Sequence, residues 1–131
     1  MEVSRSGKRK RKILIVDDEP YVRLLVRRFL SNNYTVIEAS DGEEAVNMAR
    51  SQKPDLILMD IMMPKMDGYT SCYEIKIDPI TEAIPVVMLT AVGYELNVKL
   101  SKDMGAEGYI TKPFSHHDLQ DAISQFLPST K

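Results

Sequence analysis

Cysteine, histidine and long apolar runs are all scarce in this sequence of 131 residues. The one cysteine, Cys72, cannot form an internal disulfide bond, which agrees with a reducing compartment, and we expect it to lie in a helix as a small apolar packing residue. The two histidines, His116 and His117, have no matching cluster of metal ligands around them in the sequence. No apolar run approaches the roughly 20 residues that cross a bilayer, and the amino terminus lacks the apolar core of a secretion signal. We therefore expect a cytoplasmic protein without a membrane partner.

The remaining composition is that of one ordinary globular domain, with 44% hydrophobic and 27% charged residues. Of the 17 basic and 19 acidic residues, six basic residues and one acidic residue lie within residues 1–12. We expect a basic flexible arm over residues 1–12, one acidic domain over residues 13–127, a short tail over residues 128–131 and no second domain. The arm could contact nucleic acid or another acidic surface, or it could be a flexible linker, and the sequence leaves both interpretations open.

Short apolar runs alternate with stretches of helical period, which predicts an α/β domain with a parallel sheet and helices on both faces. The predicted strands cover residues 13–16, 35–39, 56–60, 84–90 and 108–111.

Each strand is followed by a predicted helix. Pro20 opens the first helix, whose apolar stripe is Val22, Leu25, Val26 and Phe29. Asp41 and Glu44 form a capping pair for the second helix, which buries Ala45, Val46 and Ala49. The third and fourth helices are predicted over residues 69–77 and 95–104. Ser115 caps the last helix, which buries Leu119, Ala122, Ile123 and Phe126.

Polar residues mark the points where four of these strands end. Asp17 and Asp18 follow the first strand, Asp60 ends the third, Thr90 ends the fourth and Lys112 follows the fifth. Because the carboxyl ends of parallel strands lie at one edge of the sheet, we expect these side chains to converge there. Each residue alone has an ordinary structural explanation, as a turn residue, a strand residue or a surface charge. An accidental placement of such residues at the ends of four separate strands is far harder to explain.

Three carboxylates placed close together repel one another unless a cation lies between them. Oxygen ligands without histidine or cysteine favour a hard cation, and a shallow site suits Mg²⁺, with Mn²⁺ as a substitute. Lysine binds phosphate as a point charge and threonine donates a hydrogen bond, so Lys112 and Thr90 are suited to hold a phosphoryl group on Asp60. These residues therefore predict a site for an aspartyl phosphate.

Four segments resemble the receiver domain of two-component response regulators. They are LIVDDEP at 14–20, DIMMPKMDG at 60–68, LTA at 89–91 and YITKPF at 109–114. The resemblance spans residues 13–127 and implies a flavodoxin-like (βα)₅ fold with strand order 2-1-3-4-5.

The resemblance also implies a role for each matching residue. Asp60 would be the phosphoacceptor. The metal ligands would be Asp17, Asp18, Asp60 and the backbone carbonyl of Met62. The phosphoryl group would be held by Thr90, the backbone of Ala91 and Lys112, and a cis peptide bond would precede Pro113.

Tyr109 occupies the position of the family's switch aromatic, although a strand aromatic that covers the core is the simpler alternative. In the switch interpretation, Thr90 moves toward the phosphoryl group and the Tyr109 ring fills the space it leaves. This movement changes the surface of the fourth helix, fifth strand and fifth helix. Met62 and Val92 occupy the two positions that tune phosphoryl lifetime in the family. Neither carries a group that orients water, so slow self-dephosphorylation is expected.

The leading functional prediction is a receiver phosphorylated by a sensor histidine kinase or a phosphotransfer protein. Its only catalysis would be its own phosphorylation and slow dephosphorylation. The signal would pass to a downstream output protein or domain, or drive a phosphorylation-dependent homodimer, without nucleic acid binding to the receiver itself. The alternatives are a Mg²⁺-dependent aspartate-nucleophile phosphatase, which would want a second acid where Met62 stands, and an interaction module that is not phosphorylated.

Overall fold

The computed structural model describes residues 10–91 and 95–127, except for the side chains of residues 95–98. Most of the predicted basic arm, the tail at 128–131 and the lifetime-tuning Val92 lie outside the described residues. Within the described ranges, no helix is both long and apolar enough to cross a membrane.

Parallel strands alternate with helices along the described chain. The strands are β1 (Lys12–Val16), β2 (Thr35–Ala39), β3 (Leu56–Asp60), β4 (Val86–Ala91) and β5 (Gly108–Lys112). The helices are α1 (Pro20–Leu30), α2 (Gly42–Gln52), α3 (Gly68–Ile77), α4 (Glu95–Asp103) and α5 (His116–Phe126). The strands form one sheet in the order β2-β1-β3-β4-β5, and every pairing is parallel. The predicted fold class and strand order are confirmed.

The sheet is buried on both faces, which explains why its central strands are continuous apolar runs. Neighbouring residues of a strand point to opposite faces, so Ile13 and Ile15 join one core cluster while Leu14 and Val16 join the other. One cluster includes residues of α1 and α5, namely Val26, Leu30, Leu119 and Ile123. The other includes residues of α2 and α3, namely Ala45, Ala49, Cys72 and Ile75.

The predicted helix caps are present. The Asp41 carboxylate accepts a hydrogen bond from the Glu44 amide at 2.8 Å, and the Glu44 carboxylate accepts one from the Ser40 amide at 2.7 Å. Ser115 and Asp118 exchange reciprocal bonds in a capping box at the start of α5. These caps satisfy amide groups that the helices themselves leave without partners.

Cys72 and His116 have packing roles in this fold. Burial raises the pKa of the Cys72 thiol to about 12, as suits a cysteine that fills the core. The His116 ring stacks on Phe29 of α1 with their centroids 4.9 Å apart.

Several predicted boundaries were wrong by one or two residues. β4 begins at Val86 and not at residue 84, because the Ile84 amide donates to the Thr81 carbonyl in a turn and Pro85 has no amide hydrogen. The third helix begins one residue early because Asp67 caps it, accepting a bond from the Thr70 amide. α4 ends at residue 103, one residue short of its predicted end.

The junction between the basic arm and the domain also differs from the sequence prediction. Lys12, assigned to the arm, is the first residue of β1, and its amide donates to the Asp55 carboxylate at 2.7 Å. The Lys12 ammonium donates to the Gln52 carbonyl at the end of α2, and the Lys10 ammonium to the Ser31 carbonyl at the end of α1. These positive charges lie where helix carbonyl groups are unpaired.

Gly42, the first residue of α2, is required by a close backbone contact. A Cβ atom at this position would lie 2.2 Å from the Met66 carbonyl oxygen. Met66 belongs to the loop between β3 and α3, so the missing side chain lets this loop pack on α2.

We expect Gly42→Ala to lower the free energy of unfolding by about 1–3 kcal/mol, because the added methyl group overpacks a backbone contact. Helix propensity alone predicts the opposite sign, since alanine favours a helix over glycine. Urea denaturation measures the change, with Glu43→Ala at the next, exposed position as the control. A Gly42→Ala protein as stable as the unsubstituted chain would show that the loop moves away without cost.

Candidate functional site

The strand ends bring the predicted residues together at one edge of the sheet. Asp17 directly follows β1, Asp60 ends β3 and Lys112 ends β5, while Thr90 lies one residue before the end of β4. Asp60, Thr90 and Lys112 border a cleft of about 490 Å³, and Asp17 is buried beside it. Its lining includes Asp18, Asp60, Met62, Thr90, Ala91 and Lys112. Parallel pairing of the strands is what places residues so distant in sequence at one site.

The Lys112 ammonium joins the two buried carboxylates of the site. It donates to Asp17 Oδ2 at 2.8 Å and to Asp60 Oδ1 at 3.0 Å. Asp17 is fully buried, whereas Asp60 remains 7% exposed at the floor of the cleft. One cation therefore offsets part of the charge of two carboxylates that burial would otherwise leave uncompensated.

Asp17 is held by its backbone as well as by its side chain. Its amide donates to the Ala39 carbonyl, its Oδ1 accepts from the Glu19 amide at 2.9 Å, and its carbonyl accepts from Arg23 Nη1 at 2.7 Å. The sequence pattern predicted neither the Glu19 amide nor Arg23 as part of the site. The one feature of the sequence that pointed to Arg23 was its position on α1, one helical turn before a second arginine, Arg27.

The charge balance of the site shifts the pKa values of Asp60 and Lys112. Burial raises the pKa of Asp60 to about 6, and repulsion by Asp17 adds to the rise, while Lys112 opposes it. Burial works against the charge on Lys112, but its hydrogen bonds to Asp17 and then to Asp60 outweigh this effect, and its pKa is raised. Lys112 is therefore a cation at neutral pH, and the carboxylates near it carry more negative charge than it offsets.

This arrangement suits a hard divalent cation. Asp17, Asp18 and Asp60 each offer one oxygen, and these three atoms lie within 4.8 Å of one another. Asp18 is exposed, so the cluster faces solvent on one side, and the cleft leaves room for water molecules. An all-oxygen set of ligands that leaves space for water suits Mg²⁺. Met62 borders the same cleft and is 77% exposed.

Thr90 and the Lys112–Pro113 bond lie at the same edge, whereas Tyr109 lies nearer the amino end of β5. Thr90 is only 2% exposed, and its hydroxyl lies 3.4 Å from the Ala91 carbonyl oxygen. The Lys112–Pro113 peptide bond is cis, as expected. Tyr109 is 47% exposed and borders a second cavity, of about 390 Å³, together with residues of α4 and α5. Its exposure argues against a ring that only covers the core.

The sequence matches the family described as the response regulator receiver domain over residues 13–124. The chain is 40% identical over 118 residues to the chemotaxis protein CheY of Halobacterium salinarum, covering 89% of this chain and 97% of that protein. It is 41% identical over 118 residues to the alkaline phosphatase synthesis transcriptional regulatory protein PhoP of Bacillus subtilis, covering 89% of this chain. That match covers 48% of PhoP, so the chain spans about half the length of such transcriptional regulators.

Solved structures agree with the sequence matches. Chemotaxis protein CheY4 of Vibrio cholerae superposes with a TM-score of 0.85 at 30% identity, covering 90% of this chain and 99% of that one. The receiver domain of the sensor histidine kinase PA1611 of Pseudomonas aeruginosa gives a TM-score of 0.84 at 30% identity, covering 92% and 99%. That structure contains a magnesium ion coordinated in its active-site cleft. The chain therefore belongs to the response regulator receiver domain family of two-component systems.

Proposed function

We propose that this chain receives a phosphoryl group on Asp60 from a phosphohistidine of a sensor histidine kinase or a phosphotransfer protein. The observation that carries the proposal is the position of Asp60, which is buried among compensating groups yet open to the cleft. In the transfer, a carboxylate oxygen of Asp60 forms a bond to phosphorus. The bond between phosphorus and the histidine nitrogen breaks, and its electron pair remains on the imidazole.

The residues around Asp60 have separate tasks in this reaction. The Lys112 ammonium, which contacts Asp60 at 3.0 Å, would pair with an oxygen of the arriving phosphoryl group. The Thr90 hydroxyl and the Ala91 amide would donate hydrogen bonds to the other oxygens. Because these donors belong to the ends of β4 and β5, the sheet holds them in place before the phosphoryl group arrives.

We assign a Mg²⁺ site, with Mn²⁺ as a substitute, to Asp17, Asp18, Asp60 and the Met62 carbonyl. When bound, the cation would supply positive charge that offsets the charge on the phosphoryl oxygens. The close approach of three carboxylate oxygens and the magnesium ion in the PA1611 receiver support this assignment.

The phosphorylated form would act by changing its partners. In this proposal Thr90 shifts toward the phosphoryl group, Tyr109 turns inward, and the surface of α4, β5 and α5 changes shape. The exposure of Tyr109 supports this role, because an exposed ring can turn inward when Thr90 moves.

A downstream output protein or domain, or a second copy of the chain, would read the changed surface, and nucleic acid would not bind the receiver directly. An output domain in a longer protein is supported by the length of PhoP. A cytoplasmic location is part of the same proposal.

Two alternatives are less well supported. A phosphatase with an aspartate nucleophile would need a second acid two residues after Asp60, and residue 62 is an exposed methionine. An interaction module that is not phosphorylated would not explain why Asp17, Asp60 and Lys112 form a charged cluster at an open cleft.

Incubation with acetyl phosphate or phosphoramidate and Mg²⁺ tests the proposal directly. We expect intact-protein mass spectrometry to show the gain of one phosphoryl group, and Asp60→Asn to abolish it. Asp121→Asn, an exposed carboxylate on α5, is the control and should be modified normally. No gain in the unsubstituted chain, or a gain that survives Asp60→Asn, would overturn the proposal.

Asp60→Asn should also stabilise the metal-free protein at neutral and higher pH. The folded-state pKa of Asp60, about 6, lies above the ordinary value of 3.8, so the folded protein binds more protons between these values. The stability contributed by protonated Asp60 is therefore lost as the pH rises through about 6, and Asn retains it. We expect a gain of about 1–3 kcal/mol at about pH 8 that disappears near pH 4.

Urea denaturation with a chelator measures this difference across the pH range. Asp18→Asn is the matched control, because the exposed Asp18 carboxylate is solvated and its loss should change stability little. A pH-independent difference between Asp60→Asn and the unsubstituted chain would contradict the raised pKa.

Self-dephosphorylation should be slow, because the Met62 side chain cannot orient an attacking water molecule. We expect Met62→Gln to shorten the phosphoprotein half-life by roughly tenfold. This is a small part of the rate increase that a positioned general base contributes. Met62→Leu, which keeps the position apolar, should leave it unchanged. Loss of phosphate is followed by mass spectrometry after removal of the donor. An unsubstituted half-life of only seconds in Mg²⁺ would refute this expectation.

A further inference from the structure

Arg23 of α1 joins the acidic site to β2. Its Nη1 donates to the Asp17 carbonyl oxygen at 2.7 Å, and its Nε donates to Glu38 Oε1 at 2.9 Å. The Arg23 side chain is only 18% exposed. A single planar guanidinium therefore connects the loop after β1 to β2. In the sheet, β2 and the strand that carries Asp60, β3, lie on opposite sides of β1.

Glu38 is a firm anchor for this guanidinium. Its second oxygen accepts from Arg27 Nε at 2.8 Å, and Arg27 Nη2 lies at the same distance from that oxygen. Burial tends to raise the pKa of Glu38, but its hydrogen bonds to Arg27 and Arg23 outweigh this and its pKa is lowered. Glu38 therefore remains charged and keeps the Arg23 side chain in one orientation.

The oxygen that Arg23 holds belongs to the peptide group between Asp17 and Asp18. The orientation of this peptide group determines where the side chains on both of its sides point. The Asp17 carboxylate has contacts of its own, to the Glu19 amide and to Lys112. No hydrogen bond of the Asp18 carboxylate is observed among the described residues, which leaves the Asp17–Asp18 peptide as its main constraint.

We propose that Arg23 is a positioning residue that orients the Asp17–Asp18 peptide, so that both carboxylates face the cation. Glu38 acts through Arg23 and touches neither aspartate. The inference rests on the magnesium site proposed above, and it adds to that site a residue from outside the cleft. Mutation of a group that orients metal ligands typically weakens metal binding by about 10–100-fold.

A purely electrostatic role for Arg23 predicts the opposite result. Its positive charge lies close to the acidic cluster, so it repels a divalent cation, and removing the charge alone should tighten binding. Removing a positioning contact should weaken binding, because the carboxylates lose their fixed direction. The sign of the change in affinity separates the two explanations.

Isothermal titration of the full chain with Mg²⁺ provides the test, on the unsubstituted protein, Arg23→Gln and Arg27→Gln. The two variants are matched, since each removes one arginine bound to Glu38 from the same helix, and only Arg23 contacts Asp17. We expect the dissociation constant to rise about tenfold in Arg23→Gln. We expect it to stay within about twofold in Arg27→Gln, because a half-exposed ion pair contributes little.

A second measurement needs no metal. Hydrogen exchange of the Asp17 and Glu19 amides, followed by NMR on the metal-free chain, reports the order of this loop directly. We expect faster exchange in Arg23→Gln and no change in Arg27→Gln. Equal effects of the two variants on both measurements would overturn the inference, because they would reduce Arg23 to one half of a structural ion pair.

The outcomes distinguish this inference from the magnesium site on which it rests. If the unsubstituted chain does not bind Mg²⁺, the site and the inference both fail. If it binds, and Arg23→Gln binds equally well or more tightly, only the inference fails. Should Arg23→Gln not fold, Arg23→Lys replaces it, since one ammonium keeps the charge but cannot hold both partners in the guanidinium geometry. We expect weaker Mg²⁺ binding in that variant too, and an unchanged dissociation constant would again overturn the inference.

Discussion

The contact of the Lys112 ammonium with Asp17 and Asp60 is the interaction on which the rest of this structure depends. Lys112 ends β5, Asp17 follows β1 and Asp60 ends β3. In the sheet, β4 lies between β5 and β3. Lys112 therefore reaches across a neighbouring strand to bring its charge to the carboxylates. Because two buried carboxylates without a cation would be strongly unfavourable, this contact makes the acidic edge of the sheet compatible with a folded domain. Lys112 offsets only part of the cost of burying these carboxylates, as the raised pKa of Asp60 shows.

Incomplete compensation links stability to function. A fully neutralised cluster would have little affinity for a cation, whereas this one retains negative charge beside an open cleft. The surrounding backbone is correspondingly constrained. The Gly68 amide donates to the Ile61 carbonyl, and the Ser71 hydroxyl donates to the Gly42 carbonyl at 2.7 Å. The first contact joins the two ends of the loop that carries Met62, and the second ties α3 to α2, so the free energy of packing holds the site in place.

Sequence analysis was most accurate where structure depends on local pattern. The buried strands were apolar runs, and the Asp41 and Ser115 caps combined suitable residue types with the expected spacing. It failed at the start of β4, because residues 84 and 85 continue the apolar run while a turn and the missing amide of Pro85 delay the strand. It also missed Arg23, whose decisive partner is a backbone carbonyl. A contact between a side chain and a distant backbone group leaves no pattern of residue types to recognise.

The sequence by itself determined the order of strands and helices along the chain, the apolar strands of the core, and which polar residues end the strands. These properties follow from periodicity and from the shared direction of parallel strands, so they are written along the chain. Only the tertiary structure decided how the polar groups are paired: Lys112 with both Asp17 and Asp60, and Arg23 with Glu38 and the Asp17 carbonyl. These pairings depend on distances of a few ångströms between elements far apart in sequence. Such distances are set by how the helices and the sheet pack together, which no single segment of the sequence contains.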